Sequence, residues 1–200
     1  MTTKKRYKIA IFASGSGTNA ENIIRYFKNH ELIEVALLVS NNPDAYALKR
    51  AENEKVPAVV MDKSFRQSEQ RVMELLQQYK IDFIVLAGYL LLIPPWLTRK
   101  YEGRILNIHP ALLPQFGGKG MYGNHVHNAV IQAGEKKSGI TIHYVNEQYD
   151  KGDIIFQAEC PVLPHDTPDS LAARIHELEY RHFPVVIEKI IQEIEGRNFH

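Results

Sequence analysis

Asn107 and His109 stand two residues apart in "LNIHPALLPQF" (106–116), where an apolar run stops at Pro110. On a strand, residues i and i+2 face the same way, so an amide and an imidazole would share one side. The pair suits a reaction that creates an oxyanion. Asn can donate to a developing negative charge, and His can donate or shuttle a proton near neutral pH. An imidazole in that role usually has a carboxylate beside it. Asp150 and Asp153, both in "YDKGD", are candidates. Asp beside Gly is more often a turn residue, and spacing alone does not choose between the two. For His109 the plainer alternative is a core histidine satisfied by a backbone carbonyl.

A second stretch, "SGSGTN" (14–19), is rich in small residues. Gly15, Gly17 and Ala20 loosely fit the G-x-G-x-x-G/A dinucleotide fingerprint. That fingerprint also needs an acid after the second strand to hold a ribose, and Ser40-Asn41-Asn42 stands there instead. A P-loop is excluded as well, since no Lys-Ser/Thr follows at the required spacing. What remains is a loop whose backbone amides, at a helix N-terminus, can approach an anion such as a monophosphate. Thr18 and Asn19 add side-chain donors.

The third stretch is "GYLLLIPPW" (88–96), where Leu90, Leu91, Leu92 and Ile93 carry an apolar run beyond the expected strand end. It reads either as a longer buried strand or as the lipophilic wall of a pocket for a flat heterocycle. "HVH" (125–127) with His143 raises a metal site, but no acid or cysteine cluster accompanies it. No metal is expected.

These groups need a scaffold. "KIAIFA" (8–13), "EVALLVS" (34–40), "PAVVM" (57–61), "DFIVLAG" (82–88) and "RILNIH" (104–109) are apolar at nearly every position. Strands of a parallel sheet covered on both faces look like this. "NAENIIRYFKNH", "AYALKRAENEK" and "SEQRVMELLQQY" lie between them with helical spacing. The alternation predicts an α/β, Rossmann-like, mostly parallel sheet flanked by helices. "GITIHYV" (139–145) and "DIIFQAECPVL" (153–163) read as a strand pair and predict an antiparallel C-terminal extension. "HDTPDSLAARIHELEYRHF" opens a helix with Asp166 or Thr167 as N-cap. Pro184 is expected to break it before a last helix with the apolar stripe Ile187, Ile190, Ile191 and Ile194.

The 200 residues suit a single domain, 1–200. Of these, 44% are hydrophobic and 24% charged, with a net charge of +1; this supports neither a nucleic-acid footprint nor a polybasic membrane patch. The basic opening "MTTKKRYK" is followed by too short an apolar run for a secretion signal. No run approaches the roughly eighteen apolar residues of a membrane helix. The lone Cys160 suits a reducing compartment. The expected address is the cytoplasm.

Together, "SGSGTN", "VLAGYLLLIP", "LNIHPALLP", "GITIHYV" and "YDKGDII" resemble the folate-dependent phosphoribosylglycinamide formyltransferases over nearly the full length. Methionyl-tRNA formyltransferase and formyltetrahydrofolate hydrolase share the "NIHPxLLP" core but normally carry an extra domain. The resemblance implies formyl transfer from 10-formyltetrahydrofolate, as co-substrate, to the amine of 5-phosphoribosylglycinamide. It implies small-molecule partners only, in a monomer or homodimer. It implies catalytic roles for Asn107, His109 and Asp150, and a substrate-phosphate loop at Gly17, Thr18 and Asn19. Glu179 would bind the ribonucleotide, and Leu90 to Ile93, with Asn107, the folate. Two departures accompany it. Leu91 stands where many members have arginine, so one polar contact to the folate is expected to be missing. The arginine usual after the third strand is replaced by Arg66, out of register, or Arg71.

Overall fold

The computed structural model describes residues 5–197; the first four residues of the basic opening segment lie outside it. Seven strands form one sheet: β1 (Tyr7–Phe12), β2 (Ile33–Ser40), β3 (Ala58–Val60), β4 (Phe83–Leu86), β5 (Ile105–His109), β6 (Lys137–Tyr144) and β7 (Ile154–Pro161). Their order is β3-β2-β1-β4-β5-β6-β7. Pairings among the first five are parallel, while β6 runs antiparallel to both β5 and β7. The predicted mixed sheet is therefore present.

The mostly apolar residues of the inner strands feed two cores. Ile9 and Ile11 of β1 face a core built with α1 (Thr18–Phe27), α2 (Tyr46–Asn53), α6 (Asn124–Gln132) and α7 (Pro168–Arg197). Ala10 and Phe12 face the other core, shared with α4 (Glu69–Gln78) and α5 (Pro95–Lys100). A short α3 (Lys63–Gln67) precedes α4, capped by Asp62, whose Oδ1 accepts from the Phe65 N–H at 2.7 Å. Strand order reverses between β1 and β4. At such a switch point the loops leaving adjacent strands part and open a crevice at the carboxyl ends. The loops after β1, β4 and β5 all begin there.

One expectation fails. Pro184 does not break the last helix, and α7 runs unbroken from Pro168 to Arg197. A mid-helix proline removes the hydrogen bond to the carbonyl four residues back, here Tyr180. That carbonyl instead accepts from Asn22 Nδ2 of α1 at 3.0 Å. A neighbouring helix thus satisfies the group that the proline orphans. At the start of α7, Thr167 is the cap: its Oγ1 accepts from the Ser170 N–H, and its own N–H donates to Ser170 Oγ. Asp166 pairs with Arg174 instead, at 2.8 Å, which holds its carboxyl well below the usual range.

Candidate active site

A cleft of about 630 Å³ opens at the switch point, lined by the glycine loop, the Leu90–Ile93 segment, the end of β5, the 118–123 loop, Asp150 and Glu179. Every residue to which the resemblance gives a catalytic or binding role borders it.

At its floor, Asn107 and His109 share a face as the strand geometry predicts. Across the antiparallel register Asn107 pairs with His143, which adds a third polar group. His143 Nδ1 lies 2.7 Å from the Tyr144 carbonyl, so that nitrogen carries the proton and donates. Nε2 is left to accept from Asn107 Nδ2 at 3.0 Å. Asn107 Nδ2 also reaches Asp150 Oδ1, more weakly, at 3.4 Å. In the sequence His143 stands out only as a metal candidate. Its place follows from strand register, which no local spacing shows.

Between the two acids of "YDKGD" the structure is decisive about position. Asp150 Oδ2 is 3.6 Å from His109 Nδ1, and Oδ1 is 3.6 Å from His143 Nε2. Asp153 is exposed and gives only its backbone carbonyl, to the Tyr144 N–H. Asp150 holds a left-handed φ of 53°, a conformation that Asp tolerates better than most residues and that recurs at functional sites. Gly152 makes the loop possible, because a Cβ there would meet the Tyr144 carbonyl oxygen at 1.7 Å. The Gly118 N–H donates to Asp150 Oδ2 at 2.9 Å. Burial pushes the Asp150 carboxyl up, but its hydrogen-bonded surroundings, this N–H among them, hold it below its ordinary value. It is a carboxylate.

His109 Nε2 donates to the Phe116 carbonyl at 2.8 Å. The core-histidine alternative is therefore partly realised: a backbone carbonyl satisfies one nitrogen while the other faces a carboxylate. Burial lowers the His109 pKa, and Asp150 only partly offsets it. The imidazole is neutral at rest.

The glycine loop behaves as a helix start. Gly17 caps α1 with φ 72°, and the N–H groups of the first turn have no acceptor within the helix. A Cβ at Gly17 would sit 2.5 Å from Ala47 Cα, so this glycine serves close packing against α2; at Gly15 nothing lies within 4 Å. Arg50 Nε donates to the Ser16 carbonyl at 2.9 Å and braces the loop from outside. Thr18 borders the cleft, while Asn19 gives one amide N–H to Glu179, Nδ2 to Oε2 at 2.8 Å. These two expected substrate contacts are bonded to each other at rest. Glu179 is 5% exposed, and burial pushes its carboxyl up to about 7. Gly17→Val is accordingly expected to strain φ and collide with α2, costing about 2 kcal/mol or more and lowering Tm by roughly 5 °C. Gly15→Ala has room. It should leave Tm unchanged and raise only the Michaelis constant of a phosphorylated substrate, as paired melting and kinetic measurements would show.

The Leu90–Ile93 segment is a loop past the end of β4, not a longer strand. Leu90 and Leu92 are 43% and 42% exposed, whereas Ile93 is buried. Leu90 gives its N–H to Ser14 Oγ at 3.0 Å. Exposed leucines on a cleft wall lose water when a flat apolar ligand covers them. Behind this wall lies a second cavity of about 400 Å³, bordered by Leu92, Tyr89, Trp96 and Arg66. Arg71 instead stacks over Phe65, 4.4 Å from the ring. His125 is exposed against Tyr122. Among the described residues no group of three or more His, Cys, Asp or Glu could hold a metal ion.

A parallel sheet closed by an antiparallel pair, with Asn and His at the end of its fifth strand, defines a class of transferase domain. Residues 7–187 match the family model described as formyl transferase, and the chain belongs to that family. Within it, well-matched relatives share a narrower name, phosphoribosylglycinamide formyltransferase. The chloroplastic protein of Arabidopsis thaliana so named is 42% identical over 195 residues, 94% of this chain and 67% of the relative. The Bacillus subtilis protein is 39% identical over 189 residues, 92% of this chain and 94% of the relative. The crystal structure of the Bacillus halodurans protein is similar with a TM-score of 0.85 at 39% identity, covering 96% of this chain and 100% of that one. A further plant relative, from Vigna unguiculata, is longer, and the chain spans 63% of it.

Proposed function

We propose that this chain, acting as one domain, transfers the formyl group of 10-formyltetrahydrofolate to the amine of 5-phosphoribosylglycinamide. The observation that carries the reading is one cleft that joins an anion-type glycine loop, an exposed apolar wall and the Asn107–His109–Asp150 group. The ribonucleotide phosphate takes the Gly17–Asn19 end, Glu179 its ribose, and the pterin the Leu90–Ile93 wall. Arg66, which borders the cavity behind that wall, is the arginine placed for the acidic folate tail.

In this reading the amine attacks the formyl carbon, a bond forms between nitrogen and carbon, and the carbonyl electron pair moves to oxygen. Asn107 and His109 donate to that oxygen. For His109 the oxygen replaces the Phe116 carbonyl as the acceptor of Nε2–H. The attacking nitrogen becomes cationic and releases a proton through water to the neutral His109, whose imidazolium Asp150 then supports. Collapse breaks the bond to the folate nitrogen, which recovers a proton and leaves as tetrahydrofolate. Covalent attachment to the enzyme is not needed.

The partners are small molecules, without nucleic acid, and the protein acts as a monomer or homodimer. We place it in the cytoplasm, on its lone buried cysteine. No helix of the described residues is long and apolar enough to cross a membrane. The test is an absorbance assay of folate deformylation with and without the ribonucleotide. Deformylation should require the ribonucleotide; equal rates without it would make the protein a hydrolase.

A further inference from the structure

Among the described residues, His127 is a buried side chain whose ring nitrogens lack a hydrogen-bond partner. It lies on α6 with 2% of its surface exposed. Buried polar groups in native proteins are overwhelmingly paired, and each exception calls for an explanation. Nδ1 is cut off from solvent altogether. The little surface that His127 keeps borders the main cleft.

The two nitrogens differ in what they can do. A buried N–H without an acceptor is the rarer and costlier orphan, so the proton belongs on Nε2, the nitrogen that is not sealed off. That makes the imidazole a donor towards the cleft. Burial lowers its pKa to about 4, with His176 and His109 adding in the same sense. It therefore stays a neutral donor throughout the working pH range. The cleft lining gives its neighbourhood: His127 shares it with His109, at the catalytic floor, and with His176, whose Nε2 is 4.0 Å from Glu179 Oε2. Glu179 in turn bonds Asn19 of the phosphate-type loop. His127 thus borders the same cleft as the catalytic floor and the phosphate-type loop.

We propose that His127 Nε2–H donates to a neutral oxygen of the bound ribonucleotide, in the ribose or glycinamide portion between the phosphate and the reacting amine. This inference rests on the substrate reading given above. A neutral donor suits an uncharged oxygen, since a charged one would draw a stronger partner such as arginine. It also explains why an unpaired polar ring persists at this position, because its partner arrives with the substrate.

The test compares His127→Leu with His127→Gln. Leucine fills similar space without a donor, while glutamine returns an N–H near the position of Nε2. The Michaelis constant for 5-phosphoribosylglycinamide should rise roughly tenfold in the leucine variant, the loss expected for one neutral hydrogen bond. Glutamine should recover most of it. The constant for the folate should stay within about twofold, and Tm should not fall, because leucine removes an unpaired buried nitrogen. An unchanged ribonucleotide constant would overturn the proposal. So would equal rises in both constants with a fallen Tm and no rescue by glutamine, which would make His127 a packing residue. Calorimetric binding by the wild type separates the two levels. A wild type that neither binds nor formylates the ribonucleotide sinks the substrate reading and this contact with it. A wild type that does both, matched by the leucine variant, sinks the contact alone.

Discussion

Asp150→Asn and His109→Asn should each lower kcat/KM by roughly 10²- to 10⁴-fold, the range of a lost positioned acid–base group. The double variant should be scarcely worse than the weaker single one. Non-additivity follows if the two groups act as a unit, since removing either disables both. The geometry supports a unit: Asp150 Oδ2 faces His109 Nδ1 at 3.6 Å, and both residues hold the same loop, through Gly118 and Phe116. The imidazole titration supplies a second readout. Pairing with a carboxylate would by itself raise the His109 pKa, which is what the residues alone suggest. The structure reverses that expectation, because burial dominates and the value lies below the ordinary 6.5. Asp150→Asn removes the one charge that opposes burial. The titration, followed by NMR, should then move to still lower pH. An unmoved titration together with multiplying rate losses would leave Asp150 a turn residue.

Glu179→Gln should make the protein more stable and worse at its task. Glu179 is almost wholly buried, and its pKa is raised to about 7 in the folded state. The folded protein therefore keeps a proton that the unfolded chain releases above about 4.5. Stability falls as pH rises from there to about 7, and the full cost is present beyond. Each tenfold difference in proton affinity between the folded and unfolded states is worth roughly 1.36 kcal/mol, which brings that cost to about 3 kcal/mol. Glutamine has no charge to desolvate, and its amide oxygen can still accept from Asn19 Nδ2. Melting curves should coincide near pH 4.5 and separate by several degrees at about pH 8, with the variant higher. The ribonucleotide Michaelis constant should rise at least tenfold, because a buried carboxylate accepts more strongly than an amide. Superimposable melts on the alkaline side would mean that Glu179 is not held uncomfortably, and that its burial is ordinary packing.

Local chemistry was enough to determine much of this protein. Strands apolar at nearly every position meant a sheet covered on both sides, and the alternating last third meant an antiparallel ending, because side-chain periodicity is a property of the backbone itself. The same rule put Asn107 and His109 on one face. Small residues at 14–19 marked a close approach, though not that Gly17 is pressed against Ala47 while Gly15 stands clear. Only the tertiary structure decided what lies across from what. His143 faces Asn107 through strand register, and Asp150 rather than Asp153 turns inward because the loop crosses closely over Tyr144. Pro184 is absorbed into α7 because Asn22, 158 residues from Tyr180, takes up the freed carbonyl. His109 lies below its usual pKa because burial outweighs its partner. Hydrogen-bond partners, solvent access and local dielectric are set by groups distant in the chain, and no window of sequence contains them.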